Sequence, residues 1–155
     1  KIIEKNTDKI FQVIGQEKEL SFCITCMNRL SQIQKTLLIN LKDNLSLSNI
    51  IEFIIIDFDT PGLETWILSN FKWAIDIGYL RYFKTYKLKK WHASIAKNTS
   101  HKYSRGKILV NLDCDNYTGY QGGLHVIKVF KTYGNTIIFH QWSGESKDEI
   151  GRAHV

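Results

Sequence analysis

The stretch IEFIIIDFDT, residues 51–60, decides the fold. Residues 51–57 form a nearly continuous apolar run, broken by Glu52 and closed by Asp57. A run without polar alternation marks a strand covered on both faces, as a central strand of a parallel sheet is. The DTPG that follows is a turn signal. Working outward, ELSFCIT (19–25) reads as an earlier buried strand. Leu30, Ile33, Leu37, Leu38 and Leu41 recur at helical spacing, predicting a helix over 30–43 with Asn28 or Ser31 placed to cap it. Leu63, Trp66, Ile67, Asn70, Phe71 and Ala74 predict one further helix that stops before Gly78. YLRYFKT (79–85) is a third strand, 92–104 a helix stopped by Gly106, and KILVNLD (107–113) a fourth strand. A helix over 123–134 and a fifth strand, NTIIFHQW (135–142), complete the pattern, and the tail from Ser143 has no clear period.

Regular alternation of strand and helix predicts an α/β domain spanning 1–155, with a mostly parallel central sheet, helices on both faces and right-handed crossovers. Ligands of such sheets bind beyond the carboxyl ends of the strands, where strand order reverses. Three polar clusters follow strands: TCMNR after the first, DFDT after the second and DCDN after the fourth. All three are expected on one rim. In extended chain, positions two apart face the same way, so Asp113 and Asp115 are expected to converge and to repel unless a cation sits between them. A hard divalent ion with oxygen ligands suits such a pair: Mg²⁺ takes one or two carboxylates and completes its shell with water and phosphate. The bland alternative is a turn, with Asp113 capping it and Asp115 or Asn116 forming an Asx turn before Gly119.

The 155 residues are 43% hydrophobic and 23% charged, as in a globular chain with a proper core. No apolar run reaches the ~18–20 residues of a membrane span. The start, KIIEKNTDKI, has neither an initiator Met nor an apolar leader, so the chain is expected to be a piece of a longer protein. Three cysteines, Cys23, Cys26 and Cys114, give no disulfide framework and point to a reducing compartment. CITC lacks a second ligand pair for zinc, and Cys114 is expected to pack inward. The +6 charge is uneven: residues 77–112 hold nine of the 21 Lys and Arg and no acid. Such a block implies an anionic partner, although a charge run alone is usually a solvated face.

Three motifs together resemble the nucleotide-sugar-binding half of the GT-A glycosyltransferases, family 2 in particular. SFCITCMNR is similar to that family's first strand and Asn-Arg turn, EFIIIDFDT to its second strand, and AKNTSHKYSRGKILVNLDCDN to its helix, strand and DxD. They occur in the family's order over about residues 19–145. The resemblance implies a Rossmann-like GT-A fold, truncated before the acceptor-side segment. It implies metal-assisted, inverting transfer of a sugar from a UDP- or GDP-type nucleotide-diphosphate donor to a glycan or lipid-linked acceptor, as in bacterial glycan biosynthesis. Thr25, Asn28 and Arg29 would line base and ribose, and Asp57 would accept a hydrogen bond from the base or ribose. Asp59 departs from the family's commoner adjacent aspartates. Lys97 and Asn98 would shape the floor near ribose and phosphates. Asp113 would hold ribose or a metal-bound water, and Asp115 would ligate Mn²⁺ or Mg²⁺, which makes both acids metal-site residues. The expected location is cytoplasmic, with the inner membrane face as a surface for peripheral attachment.

The catalytic base stays unassigned: Glu145, Asp148 and Glu149 are present without anything to single one out. His92, His140 and Trp142 are conceivable ligand contacts, for which surface or packing roles serve as well. The alternative function is a non-catalytic nucleotide- or single-stranded nucleic-acid-binding module, because YLRYFKTYKLKKWH interleaves aromatics with cations. Nucleic acid is not the expected partner, since that role needs no carboxylate pair on the rim. A nucleotidyltransferase normally carries a glycine-rich loop after its first strand, and TCMNRLS has no glycine.

Overall fold

The computed structural model describes residues 2–5 and 17–134. The sequence-predicted strand at 135–142, the tail, His140, Trp142, Glu145, Asp148 and Glu149 lie outside them. Five strands form one sheet: β1 (Ile3–Glu4), β2 (Lys18–Cys26), β3 (Ile51–Phe58), β4 (Leu80–Thr85) and β5 (Gly106–Asn111). Their order is β1-β4-β3-β2-β5, with every pair parallel except the short β1 against β4. Five α-helices are described: α1 (Leu30–Asp43), α2 (Leu63–Asn70), α3 (Lys72–Asp76), α4 (Ala93–Tyr103) and α5 (Gly122–Tyr133). From β2 the chain steps outward through β3 to β4, and α4 then carries it back to the far side of β2. Strand order therefore reverses between β2 and β5.

β3 behaves as its sequence demands, with every residue from Ile51 to Phe58 buried. One of its faces meets α1, α2 and α5 through Ile33, Leu37, Leu41, Leu63, Ile67, Val126 and Ile127. Ile54 and Ile56 join the other face, a smaller cluster with Phe83 and Ala96 of α4. Cys23 belongs to this second cluster and Cys26 to the first, so the CITC cysteines lie on opposite faces and cannot share one ion. Burial pushes the Cys23 thiol up to about 11.

Four expectations are corrected in detail. Residues 63–76 form two helices rather than one, because Asn70 Nδ2 donates to Trp66 O (2.8 Å) and competes for that carbonyl where the helix breaks at Phe71. Gly106 does not end α4, which stops at Tyr103. It opens β5, where a Cβ would run into the backbone of Ser21. Neither Asn28 nor Ser31 caps α1, whose N-cap position is Arg29 without a side-chain bond. β5 stops at Asn111, so Asp113 and Asp115 stand in a turn closed by Asn116 N to Asp113 O (3.0 Å) and not in extended chain.

Glu52, the interruption in the apolar run, is fully buried near the amino ends of the strands. Its carboxylate accepts from Ser21 Oγ (2.7 Å) and Arg105 N (2.7 Å) and faces Arg81 Nη1 at 3.4 Å. Arg81 also donates to Tyr103 O (2.8 Å) and, through Nε, to Glu4 (3.0 Å). A buried charge is tolerated only with such a complete set of partners. Glu52→Ala removes the buried carboxylate facing Arg81 and leaves the Arg105 amide without its acceptor. The expected loss is about 3–5 kcal/mol in a urea titration, against less than about 0.5 kcal/mol for Lys72→Ala in the exposed pair with Asp76.

Candidate functional site

A cavity of about 370 Å³ opens at the carboxyl ends of β2 and β5, the point where strand order reverses. This lies in the ~300–1,000 Å³ range of small-molecule sites. Thr25, Met27 and Arg29 line it from the end of β2 and the turn beyond, Trp91, Ala93 and Lys97 from α4 and its approach, and Asp113, Cys114 and Asp115 from the turn after β5. Of the residues the sequence nominated, Thr25, Arg29, Lys97, Asp113 and Asp115 come together here.

Asn28, Asn98 and Asp57 are not in the lining. Asn28 is exposed, with a left-handed backbone (φ 58°) and its N–H donated to Thr60 Oγ1 at 3.1 Å, and Asn98 is exposed on α4. Asp57 is fully buried. Its carboxyl accepts from the Tyr82 hydroxyl and from Thr60 N (2.7 Å). Burial pushes its pKa above the ordinary 3.8, more than those bonds pull it down. Asp59 is exposed and pairs with Lys84 at 3.3 Å. His92 is exposed and makes no capping bond at the start of α4.

The two acids each face a cation. Arg29 Nη2 reaches Asp115 at 3.1 Å, and Lys97 Nζ stands 4.0 Å from Asp113. The acids are 38% and 55% exposed, so these are solvent-screened pairs worth about 0–1 kcal/mol, which a ligand can replace at little cost. Between the acids, Cys114 packs inward as expected and donates its thiol to Thr25 O (3.3 Å). Its hydrogen bond with Cys26, and then burial, hold that thiol protonated.

What fixes the acidic turn is a polar stripe on α1 that the apolar reading of that helix passes over. Thr36, Asn40 and Asn44 recur every four residues and so share one face. Thr36 Oγ1 donates to Cys114 O (2.6 Å), Asn40 Nδ2 to Asn116 O (3.0 Å), and Asn40 Oδ1 accepts from Thr118 N (2.8 Å). Asn44 holds Thr118 Oγ1 and the Gly123 amide, both at 2.8 Å. Met27, Trp91 and Ala93 also line the cavity without having been nominated by the sequence, and Trp91 is the largest of them. It meets Phe58 edge to face at 5.9 Å and thereby forms a cavity wall.

Solved structures share this architecture. S. aureus TarS in complex with UDP superposes with TM-score 0.60 at 12% identity, over 74% of this chain and 32% of that one. A mannosyltransferase from Pyrobaculum calidifontis, solved with GDP-Man and Mn²⁺, gives 0.60 at 13% identity, over 81% of this chain and 35% of that one. The sheet is the one these proteins use. TarS solved with UDP-GlcNAc gives 0.58 at 14% identity over 74% of this chain. The chain thus spans about a third of these structures' lengths. No protein-family model matches the sequence, and no curated protein does. The expected fold class, α/β with a mostly parallel GT-A-type sheet, is the one the chain adopts.

The donor set suits a hard ion. Asp113 and Asp115 offer only oxygen, and no group of three or more His, Cys, Asp and Glu that could hold an ion forms among the described residues. Mn²⁺ or Mg²⁺ bound there would draw its remaining ligands from water and phosphate.

Asn40→Ala should lower stability by about 1–3 kcal/mol in urea, since it leaves the buried Thr118 amide without an acceptor. Asp57 supplies a pH test. A carboxyl whose folded pKa is raised contributes stability that is fully present below its ordinary 3.8 and is lost as pH rises through the raised value. Relative to the wild type, Asp57→Asn should therefore gain stability as pH climbs through that window. Thermal melts at stepped pH read the difference.

Proposed function

We propose that the chain is the donor-binding part of a glycosyltransferase that takes a sugar from a nucleotide-diphosphate donor. The observation that carries this reading is the gathering of Arg29, Lys97, Asp113 and Asp115 around one cavity at the reversal point of the sheet. The TarS and mannosyltransferase structures, which share the sheet, hold UDP, UDP-GlcNAc or GDP-Man with Mn²⁺ and support the choice of ligand class.

In this reading the diphosphate lies across the turn at 113–116. Arg29 and Lys97 would neutralise its oxygens in place of their carboxylate partners, and Asp113 and Asp115 would hold Mn²⁺ or Mg²⁺. When bound, that ion supplies Lewis-acid stabilisation of the nucleoside diphosphate as it departs. Thr25 offers a hydroxyl to ribose or phosphate, and Trp91 offers an aromatic wall. A ligand that also engages Asn28 or Asn98 must extend past the cavity. To engage Asp57 it must displace Tyr82 from the carboxyl. We assign the general base of an inverting transfer to none of the described residues. The acceptor is a glycan or a lipid-linked chain.

Binding of UDP- and GDP-sugars followed by calorimetry, with and without Mn²⁺ or Mg²⁺, tests the reading. Metal-dependent affinity is expected, and Asp115→Asn should weaken it by tenfold or more. Affinity for neither nucleotide class in the presence of metal would overturn it. Salt-sensitive binding of single-stranded oligonucleotides that ignores Asp115→Asn would favour the non-catalytic binding module instead.

A further inference from the structure

The basic block does not act as one surface. Arg81 is consumed by Glu52 and Glu4, Lys84 by Asp59 and Glu64, and Lys107 by Glu17 and Glu19. Lys97 faces Asp113 in the cavity. What distinguishes the remainder is the connection from β4 to α4, residues 86–92 (YKLKKWH). Two of its side chains tie it to the sheet: Leu88 packs on the cluster beneath α4, and Trp91 touches Phe58 while staying partly exposed. With those two as anchors, Lys87, Lys89 and Lys90 all face solvent, beside Tyr86 at 68% exposure and Trp91 at 40%. Ile95, in the first turn of α4, is exposed as well.

We propose that this connection is a docking surface for an anionic lipid bilayer. Three lysines within four positions, with no acid between residues 77 and 112, complement a negatively charged headgroup layer. Tyr and Trp beside them are the side chains that settle at a membrane–water interface, ring toward the acyl boundary and polar tip in water. Because Leu88 and Trp91 hold the connection against the sheet, its three lysines are presented from a backbone already in place. Trp91 also lines the cavity, so the same contact would bring the cavity mouth close to the bilayer. No helix among the described residues is long and apolar enough to cross a membrane, so the contact is a surface one. The docking argument rests on the connection alone and not on the donor-binding reading.

Co-sedimentation of the 155-residue chain with phosphatidylglycerol vesicles and with phosphatidylcholine vesicles tests it. Binding to the anionic vesicles only is expected. The triple variant Lys87→Ser, Lys89→Ser, Lys90→Ser should lower the partition coefficient about a hundredfold, from the usual contribution of each basic residue at such a surface. A control variant, Lys35→Ser, Lys42→Ser, Lys128→Ser, removes the same charge from exposed sites elsewhere and should keep most of the binding. Equal losses in both variants would reduce the effect to net charge and overturn the proposal, as would no binding to anionic vesicles. Loop-dependent binding of single-stranded oligonucleotides in place of vesicles would overturn it in favour of a nucleic-acid surface. UDP-sugar titration of the lysine triple variant keeps the two readings apart, because donor affinity should not change.

Discussion

The parallel pairing of β2 with β5 is the constraint on which the rest of the structure depends. It starts where Gly106 lies so close to Ser21 that no Cβ fits, and beyond β5 a bond from Leu112 N to Cys23 O at 2.9 Å extends it. Past that point β2 continues through Thr25 and Cys26 beside β3, while the β5 chain turns away. The space between them is the cavity. Its acidic wall then needs a second support, because a turn has no ladder to hold it. The amides and hydroxyl of Asn40, Asn44 and Thr36 provide that support from α1.

Electrostatics divide along the same axis. Toward the amino ends of the strands two charges are buried and hydrogen-bonded, Glu52 with Arg81, and Lys18 Nζ donating to Ser48 O and Asn49 O at 3.1 and 3.2 Å. Lys107 there pairs with Glu17 and Glu19 in solvent. Burial drives the Lys18 pKa down, partly offset by Glu52. At the carboxyl rim the pairs are exposed and exchangeable. Such a gradient lets the sheet stay rigid while its rim offers charge to a guest.

Much of this was legible in the sequence, for reasons that differ by residue. α1 matches the expected bounds because its apolar stripe has the helical period, and β3 because a nearly continuous apolar run has only one comfortable place in such a sheet. Alternation of strand and helix announced the parallel sheet, but not the order of its strands. The two-residue β1 carried no pattern long enough to see. Partners far apart in sequence were also hidden. Nothing local says that Glu52 meets Arg81, or that Tyr82 takes the Asp57 carboxyl that strand-end logic sends toward a ligand. The DCDN acids do converge on one cavity, but a turn, and not strand alternation, brings them there. Trp91 went unseen as a wall because only its contact with Phe58, from another strand, gives it that place.

The burial of Glu52 has an evolutionary corollary. Because the costly charge network sits at the opposite end of the strands from the open rim, a lineage can rewrite the rim without disturbing what keeps the chain folded. At 12–14% identity the likeness to the solved structures is one of fold, which is the part this buried network holds.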